Sequence, residues 1–329
     1  MKWVLRILLV VVALLVVAFL IFRTPDSDPA EMRAKYGGEP SQFVAIGDGV
    51  TVHLRDEGPK EAPAIILLHG SNADLHTWQP WVDILKARYR VIRFDQIGHG
   101  LTGADPVGDY SQTNFVADID EVADALGLES FVLGGNSMGG GNAVAYALAH
   151  PERLDGLVLV DAGGVPPLGE SEEGDDDGGN IGFTIARTPV LNQLMKHITP
   201  RSMVEQSLRQ SVSNQAIVTP QAVDRYWELL RYPGNRDATI ARFAGERSSF
   251  EADDVAQIDV PALVIWGEDD ALIPVEAGLW YDTQLPDSRL VVYSGIGHLP
   301  HEEVADRSGA YLLQWLDEQD FAPAANGPA

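Results

Sequence analysis

The sequence contains no cysteine, which excludes disulfide bonds, thiolate metal sites and a cysteine nucleophile. Basic residues are scarce as well: 23 Lys and Arg stand against 48 Asp and Glu, for a formal net charge of -25. So acidic a surface argues against nucleic acid or anionic lipid as a partner. The chain has ample apolar material, because 329 residues with 45% hydrophobic content can bury a large core. One domain with an insertion, or two domains, is expected.

A long apolar run lies at the N-terminus. Residues 7–22 carry no charge and are bracketed by Arg6 and Arg23. Together with residues 3–5, the run reaches roughly the 20 residues that a helix needs to cross a bilayer. We therefore predict a membrane anchor over residues 1–23.

A cleaved signal peptide is the alternative interpretation of this run. Such a peptide needs small residues at its cleavage site, whereas residues 19–23 are bulky, which favours an uncleaved anchor. Lys2 and Arg6 place the N-terminus in the cytoplasm. The sequence thus predicts a single-pass membrane protein whose main domain lies on the non-cytoplasmic side, in the periplasm if the chain is bacterial.

Short apolar runs with strand character recur along the rest of the chain. They lie at 43–45, 51–54, 64–68, 91–94, 131–133, 157–160, 263–266 and 290–293. The later runs are continuously apolar, which is typical of strands buried on both faces of a parallel sheet. Helical patterns lie between them, for example at 113–126. This alternation of strand and helix predicts an α/β fold.

The alternation stops between residues 165 and 254. An acidic, glycine-rich loop at 169–179 opens this region, and helical patterns follow it. The loop lacks the EF-hand spacing, so a solvated loop is expected there instead of a calcium site. An all-helical insertion between two sheet strands indicates a cap. The predicted organisation is an anchor (1–23), a polar linker (24–41), a core (42–164 and 255–321), a helical cap (165–254) and a disordered tail (322–329).

The pentapeptide at 135–139, Gly-Asn-Ser-Met-Gly, has the pattern G-x-S-x-G. A predicted strand precedes it, and the small apolar residues 140–149 that follow suit a tightly packed helix. A serine on so sharp a turn presents its hydroxyl clear of the backbone. The helix that follows directs its free N–H groups toward charge that develops there. Ser137 is therefore a candidate nucleophile.

A serine hydroxyl needs a base to remove its proton, and the base needs an acid to orient it. The chain supplies both types of residue just after two late strands. Gly-Glu-Asp-Asp at 267–270 follows one of them, and His298 follows the last one. Open parallel sheets bind ligands at the carboxyl ends of their strands. The neighbouring His301 is expected to be exposed.

An oxyanion hole needs two N–H groups. One is expected from Met138, the residue after the candidate nucleophile. The other is expected from the backbone of Ser71, in the loop directly after the strand at 64–68. The remaining histidines show no ligand-like pairing, so neither a metal nor any other cofactor is predicted.

Between residues 43 and 321 the chain resembles the α/β-hydrolase superfamily. The matching motifs are His-Gly at 69–70, Asp-Gln-Ile-Gly-His-Gly at 95–100, Gly-Asn-Ser-Met-Gly-Gly at 135–140, Gly-Glu-Asp-Asp at 267–270 and Gly-His at 297–298. The resemblance implies that Ser137 is the nucleophile, Asp270 the acid and His298 the base, under a helical cap. A serine nucleophile excludes the branches that use aspartate, namely epoxide hydrolases and haloalkane dehalogenases.

Within the superfamily, the residues at 135–140 are similar to those of meta-cleavage-product hydrolases, which cleave carbon–carbon bonds. Those enzymes usually carry Trp after the catalytic His, where this chain has Leu299, and the motif at 95–100 looks more like that of esterases. We predict a serine hydrolase that cleaves a small-molecule carboxylic ester through an acyl-enzyme. Carbon–carbon hydrolysis, a prolyl aminopeptidase or amidase activity, and a non-catalytic ligand-binding role stay open as alternatives.

Overall fold

The computed structural model describes residues 2–167, 180–245, 249–319 and 321, and its centre is an eight-stranded sheet. The strands are β1 (Ser41–Ala45), β2 (Thr51–Glu57), β3 (Ala64–Leu68), β4 (Arg90–Phe94), β5 (Phe131–Asn136), β6 (Leu154–Val160), β7 (Ala262–Gly267) and β8 (Ser288–Tyr293). Their order across the sheet is β1-β2-β4-β3-β5-β6-β7-β8. The first two strands pair antiparallel at one edge, and β3 to β8 run parallel. The predicted α/β fold with a mostly parallel sheet is confirmed.

Helices cover both faces of the sheet, fill the insertion after β6 and form the N-terminus. They are α1 (Lys2–Phe22), α2 (Pro29–Tyr36), α3 (Gln79–Leu85), α4 (Gln112–Ala125), α5 (Met138–Ala149), α6 (Ile181–Arg187), α7 (Leu191–Met195), α8 (Arg201–Ser211), α9 (Pro220–Leu230), α10 (Asn235–Ala244), α11 (Ala252–Val255), α12 (Val275–Gln284), α13 (Pro300–Glu303) and α14 (Ala305–Gln319). Short 3-10 helices lie at Gly47–Gly49, Leu75–Trp78, Pro151–Arg153 and Gln215–Ile217.

The core lies on both faces of the sheet, as the central strand β3 shows, because this strand is apolar at every position. In β3 all five residues are buried. Ile66 and Leu68 belong to the cluster that includes residues of α4 and α5, whereas Ile65 and Leu67 join the opposite cluster with residues of α3 and α14. Alternate side chains of one strand thus fill two separate layers.

The parallel strands bring three candidate residues and Asp161 to one edge of the sheet. Ser137 follows β5, Asp161 follows β6, Asp270 follows β7 and His298 follows β8. Because β5 to β8 are neighbours and parallel, their carboxyl ends lie side by side. The sheet order thereby assembles the site from segments far apart in the sequence.

The described part of the insertion between β6 and β7 contains the helices α6 to α11, joined by turns and loops. Part of it packs on the core segment that carries the candidate base, since Leu208, Val212, Val218 and Val223 form a buried cluster with Leu299. The acidic loop expected at 169–179 and the tail expected at 322–329 lie outside the described residues.

The N-terminal helix α1 has 21 residues and is long and apolar enough to cross a membrane; a signal sequence has the same properties. The segment after it, residues 24–41, predicted as a polar linker, contains α2 and binds the cap. Thr24 donates its N–H to the His197 carbonyl (2.7 Å), and Thr199 donates its N–H to the Thr24 hydroxyl (2.7 Å). Arg236 pairs with Asp26 at 2.6 Å. These contacts fix the end of α1 against the cap.

Candidate active site

The backbone at Ser137 adopts the conformation of a sharp turn. Its φ of 54° and ψ of -118° are strained for a residue with a side chain. The two flanking glycines make the turn possible, because a Cβ on Gly135 would lie 2.2 Å from the Gly139 carbonyl oxygen. A Cβ on Gly139 would lie 2.4 Å from the Leu68 carbonyl oxygen. The strain and the close approaches together expose the serine between β5 and α5.

His298 is held by Asp270. Nδ1 of the imidazole lies 2.7 Å from Oδ2 of this carboxylate, and both residues are buried. The other oxygen, Oδ1, accepts the N–H groups of Leu272 (2.8 Å) and Ile273 (3.2 Å). The neighbouring Asp269 is exposed. The acid that contacts the imidazole is therefore fixed on three sides, and its position leaves the other imidazole nitrogen available as a base.

Ser137, His298 and Ser71 line one cavity beneath the cap. Its apolar wall comes mostly from cap helices and from the loops after β7 and β8: Met195, Met203, Val204, Leu208, Leu230, Leu272 and Leu299. Met138 begins α5 directly behind the serine. The structure thus brings together the residues expected as nucleophile, base and acid, with both expected oxyanion donors beside them.

Asn136 is a site residue whose role the sequence did not indicate. Its side-chain amide donates to the carbonyl oxygens of Val160 and His298, both at 3.1 Å. The residue before the serine therefore ties the nucleophile turn to the loop that carries the base. The G-x-S-x-G pattern leaves this position free, so the pattern offers no signal for the contact.

Glu303 links the base loop to the cap. Its Oε1 accepts the N–H groups of Gly297 (3.1 Å) and Leu299 (3.3 Å), on both sides of His298. Its Oε2 accepts the N–H groups of Ser213 (2.9 Å) and Asn214 (2.7 Å) from the cap. One buried carboxylate thus joins the two parts of the fold beside the site.

Asp161 is a second carboxyl at the acid position. It is fully buried, and its Oδ1 accepts the Gly267 N–H at 3.0 Å, while Oδ2 has no donor. Burial and the adjacent Asp270 raise the pKa of Asp161 well above its usual range. Burial and the neighbouring carboxyl group therefore both favour the protonated form of Asp161.

Among the described residues, Asp161, Asp270 and His298 form the group best placed to bind a metal ion. Ligand atoms of Asp161, Asp270 and His298 lie within 4.8 Å of one another. A metal ion bound there would have to take the imidazole Nδ1 from Asp270, and the imidazole would lose the hydrogen bond that orients it. The arrangement therefore fits a charge-supported base better than a metal site.

The expectation that His301 is exposed was wrong. Its side chain is fully buried, 4.2 Å from Trp78 between ring centroids, and its Nε2 lies 2.9 Å from the Thr77 hydroxyl. Burial lowers the pKa of His301 to about 3, so the ring is neutral. A charged His301 close to the base would oppose protonation of His298, and burial prevents this.

Curated relatives are similar to this chain over most of its length. A 2-hydroxy-6-oxononadienedioate/2-hydroxy-6-oxononatrienedioate hydrolase from Comamonas testosteroni is 30% identical and covers 84% of this chain and 96% of its own. A 2-hydroxy-6-oxo-6-phenylhexa-2,4-dienoate hydrolase from Burkholderia cepacia is 28% identical, again over 84% of this chain and 96% of its own.

Two solved structures extend the comparison. A meta-cleavage product hydrolase from Pseudomonas fluorescens IP01 has a TM-score of 0.70 at 25% identity and covers 83% of this chain and 98% of its own. A membrane phospholipase A, described as a bacterial virulence factor, has a TM-score of 0.72 at 25% identity and covers 98% of this chain and 100% of its own. The model of the alpha/beta hydrolase fold matches residues 63–305. With the relatives above, this match shows that the chain is a hydrolase of the alpha/beta hydrolase fold family.

Proposed function

We propose that the chain hydrolyses carboxylic esters through an acyl-enzyme. The Ser137 hydroxyl attacks the ester carbonyl while His298 takes the hydroxyl proton, and the carbonyl electron pair moves to oxygen. His298 then gives the proton to the departing alcohol. Water, activated by the same imidazole, hydrolyses the acyl-enzyme and restores Ser137.

The contact between His298 and Asp270 is the observation that carries this proposal. Attack by the serine turns the imidazole into an imidazolium, and a carboxylate at 2.7 Å stabilises that charge. The neighbouring Asp161 competes little for this role, because burial favours its protonated form. The N–H groups of Ser71 and Met138 are proposed to hold the oxyanion.

The cavity wall supports an ester with an apolar acyl chain. Its lining comprises several Leu, Met and Val side chains, and no Lys or Arg is among the described residues that line it. A dicarboxylate such as the nonadienedioate named for the relative from Comamonas testosteroni would need a cation in the cavity. Arg225, which is partly buried near the cavity, is neutralised by Asp74 at 3.1 Å, and Arg242 lies behind Ser71 without lining the cavity.

Carbon–carbon hydrolysis is the second candidate, and the relatives favour it. The two curated relatives described above are named as hydrolases of 2-hydroxy-6-oxo dienoic acids, and they match most of this chain. The nucleophile, base and oxyanion donors would serve either bond. Leu299, which follows the proposed base, offers no polar group to a dienol substrate.

Residues 3–22 are further proposed to hold the chain in a membrane, with the catalytic domain on the non-cytoplasmic side. The match to the membrane phospholipase A supports this, because it leaves only about 2% of this chain, about 7 residues, unmatched. A gap of that size cannot contain the 21 residues of α1. The similarity to a membrane lipase therefore extends into the N-terminal helix.

Labelling with a fluorophosphonate probe tests the proposed nucleophile. We expect the purified protein to be labelled and the Ser137→Ala variant to be unlabelled, since the probe reacts with an activated serine. Labelling that survives Ser137→Ala, or no labelling of the folded wild-type protein, would contradict the proposed role.

A further inference from the structure

A guanidinium group lies against both proposed oxyanion donors. Arg242, in the last turn of α10, donates Nη1 to the Ser71 hydroxyl at 3.1 Å and to the Met138 sulfur at 3.1 Å. Its Nη2 makes two longer contacts, to Asn72 Oδ1 (3.4 Å) and Thr239 Oγ1 (3.5 Å). One cap side chain thus contacts the loop after β3 and the start of α5, which together form the proposed hole.

The charge of Arg242 has no counter-ion among the residues that the structure describes. Its side chain is half-buried, and Nε is buried without a hydrogen-bond partner. Three other cap arginines do have acidic partners: Arg201 with Asp224, Arg209 with Glu205 and Arg225 with Asp74. Arg242 instead resembles Arg231, which contacts the Pro25 carbonyl and the Trp227 ring, although acids outnumber bases by 48 to 23 in the chain.

Burial of such a cation costs free energy unless an anion compensates it. Burial lowers the pKa of Arg242 to about 10, which still leaves it charged at neutral pH. Desolvation is the main cause of this lowered pKa, and the nearby Tyr110 acts in the opposite direction. The neighbours that face the group supply oxygen and sulfur dipoles without a negative charge.

We infer that Arg242 is a positioning residue that supplies a positive charge behind the oxyanion hole and is compensated when the tetrahedral intermediate forms. The substrate oxyanion develops beside the N–H groups of Ser71 and Met138, and the guanidinium contacts the side chains of both. Negative charge appears there only during reaction, so the unpaired cation stabilises the transition state more than the bound substrate. This inference rests on the proposed function, since it requires attack by Ser137 on a carbonyl.

The contacts of Arg242 in the structure explain why no carboxylate lies beside its charge. A carboxylate beside Arg242 would cancel its field at the hole and repel the developing oxyanion. Neutral acceptors such as Ser71 Oγ and Asn72 Oδ1 fix the guanidinium and leave its charge uncancelled. Arg242 does not line the cavity itself, so it acts through the groups that do.

An alkyl trifluoromethyl ketone tests this role, because its adduct with Ser137 carries an oxyanion in the hole. The matching methyl alkyl ketone serves as the unreactive ligand. We expect Arg242→Gln to weaken the trifluoromethyl ketone by about 10- to 100-fold, less than the loss of a direct oxyanion donor. The affinity of the methyl ketone and the KM for a neutral p-nitrophenyl ester should change less than threefold, so the loss falls on kcat. Arg242→Lys should restore part of it.

Arg209→Gln, an exposed cap arginine paired with Glu205, is the matched control and should leave all of these values unchanged. Equal losses for both ketones after Arg242→Gln would show a structural role and overturn the inference. A loss confined to the KM of acidic esters would also overturn it, because Arg242 would then bind a permanent acid of the substrate. The proposed function fails separately, if wild-type protein forms no adduct at Ser137.

Discussion

The carboxyl group of Asp161 lies beside that of Asp270, and both lie within 4.8 Å of the imidazole of His298. The two aspartates follow neighbouring parallel strands, β6 and β7, so the sheet itself sets their separation. Only one of them contacts His298 Nδ1. One aspartate therefore orients the base and the other, whose protonated form is favoured, lies behind it, so the two should respond differently to mutation.

Asp270→Asn is expected to lower kcat by roughly 10³- to 10⁴-fold, because the amide disturbs the imidazole tautomer and leaves the imidazolium uncompensated. Steady-state kinetics on a p-nitrophenyl ester measure this. Asp269→Asn is the matched control: its side chain is exposed, and its kcat should stay within about twofold of wild type. A larger loss at Asp269 than at Asp270 would show that the acid is misassigned.

Asp161→Asn should keep most of the activity, because an amide oxygen still accepts the Gly267 N–H and the contact between Asp270 and His298 is kept. The difference in stability between the wild-type protein and this variant should depend on pH. A raised pKa means that the folded state binds the proton more tightly, so wild-type stability falls as pH rises from about 4, the unfolded value, toward the folded pKa. Asparagine cannot lose that proton.

The Tm of Asp161→Asn relative to wild type should therefore increase between pH 4 and pH 8. Thermal unfolding across that range is the measurement. A Tm difference that is constant with pH would contradict the protonated state of Asp161.

Gly139→Ala should abolish activity and lower the unfolding free energy by about 1–3 kcal/mol, since the added methyl group would meet the Leu68 and His69 carbonyl oxygens at 2.4 and 2.6 Å. Gly38→Ala is the control, because a Cβ there has no neighbour within 4 Å. Urea unfolding and esterase assays of both variants decide the matter. Wild-type activity in Gly139→Ala would contradict the tight turn described at Ser137.

Glu303→Gln should weaken the link between the base loop and the cap, because a carboxylate that accepts four N–H groups is replaced by a neutral amide with a single acceptor oxygen. We expect a loss of about 1–3 kcal/mol in unfolding free energy and a lower kcat. Glu302→Gln, at the adjacent position, tests whether any acid there behaves alike. An unchanged Tm for Glu303→Gln would contradict the structural role.

The N-terminal helix is expected to remain attached and to hold the protein in the membrane fraction. Intact-mass measurement after expression in a bacterial host checks this, together with protease accessibility of the domain from the non-cytoplasmic side. A mature soluble chain that begins after about residue 23 would show instead that α1 is a cleaved signal sequence.

The sequence was sufficient to predict the fold and the triad candidates, because each rests on a local pattern. Ser137 lies in a turn whose glycines are visible in the sequence, and the strands that precede Asp270 and His298 are continuously apolar. The helix α2 also had a local signal: Asp28 caps it, and Pro29 opens it. The Pro- and Gly-rich composition of that segment concealed the signal and favoured a linker.

Other residues could not be predicted because their roles depend on contacts across the fold. Asp161 matters only because β6 lies next to β7, and the sequence of neither strand determines the order of strands in the sheet. Arg242 and Glu303 depend on how the cap helices sit on the core, and a helix pattern does not fix that placement. The burial of His301 likewise required the position of Trp78, more than 200 residues away in the sequence.

A comparison of three substrates is the best test of which bond the enzyme cleaves. The kcat/KM of the purified protein would be measured on short-chain p-nitrophenyl esters, on a meta-cleavage dienol acid and on a prolyl anilide, with Ser137→Ala as the inactive control. We expect the highest value on the esters, since an alkoxide or phenoxide leaves with less acid assistance than an amine or a carbanion. A higher kcat/KM on the dienol acid or on the anilide would contradict this expectation.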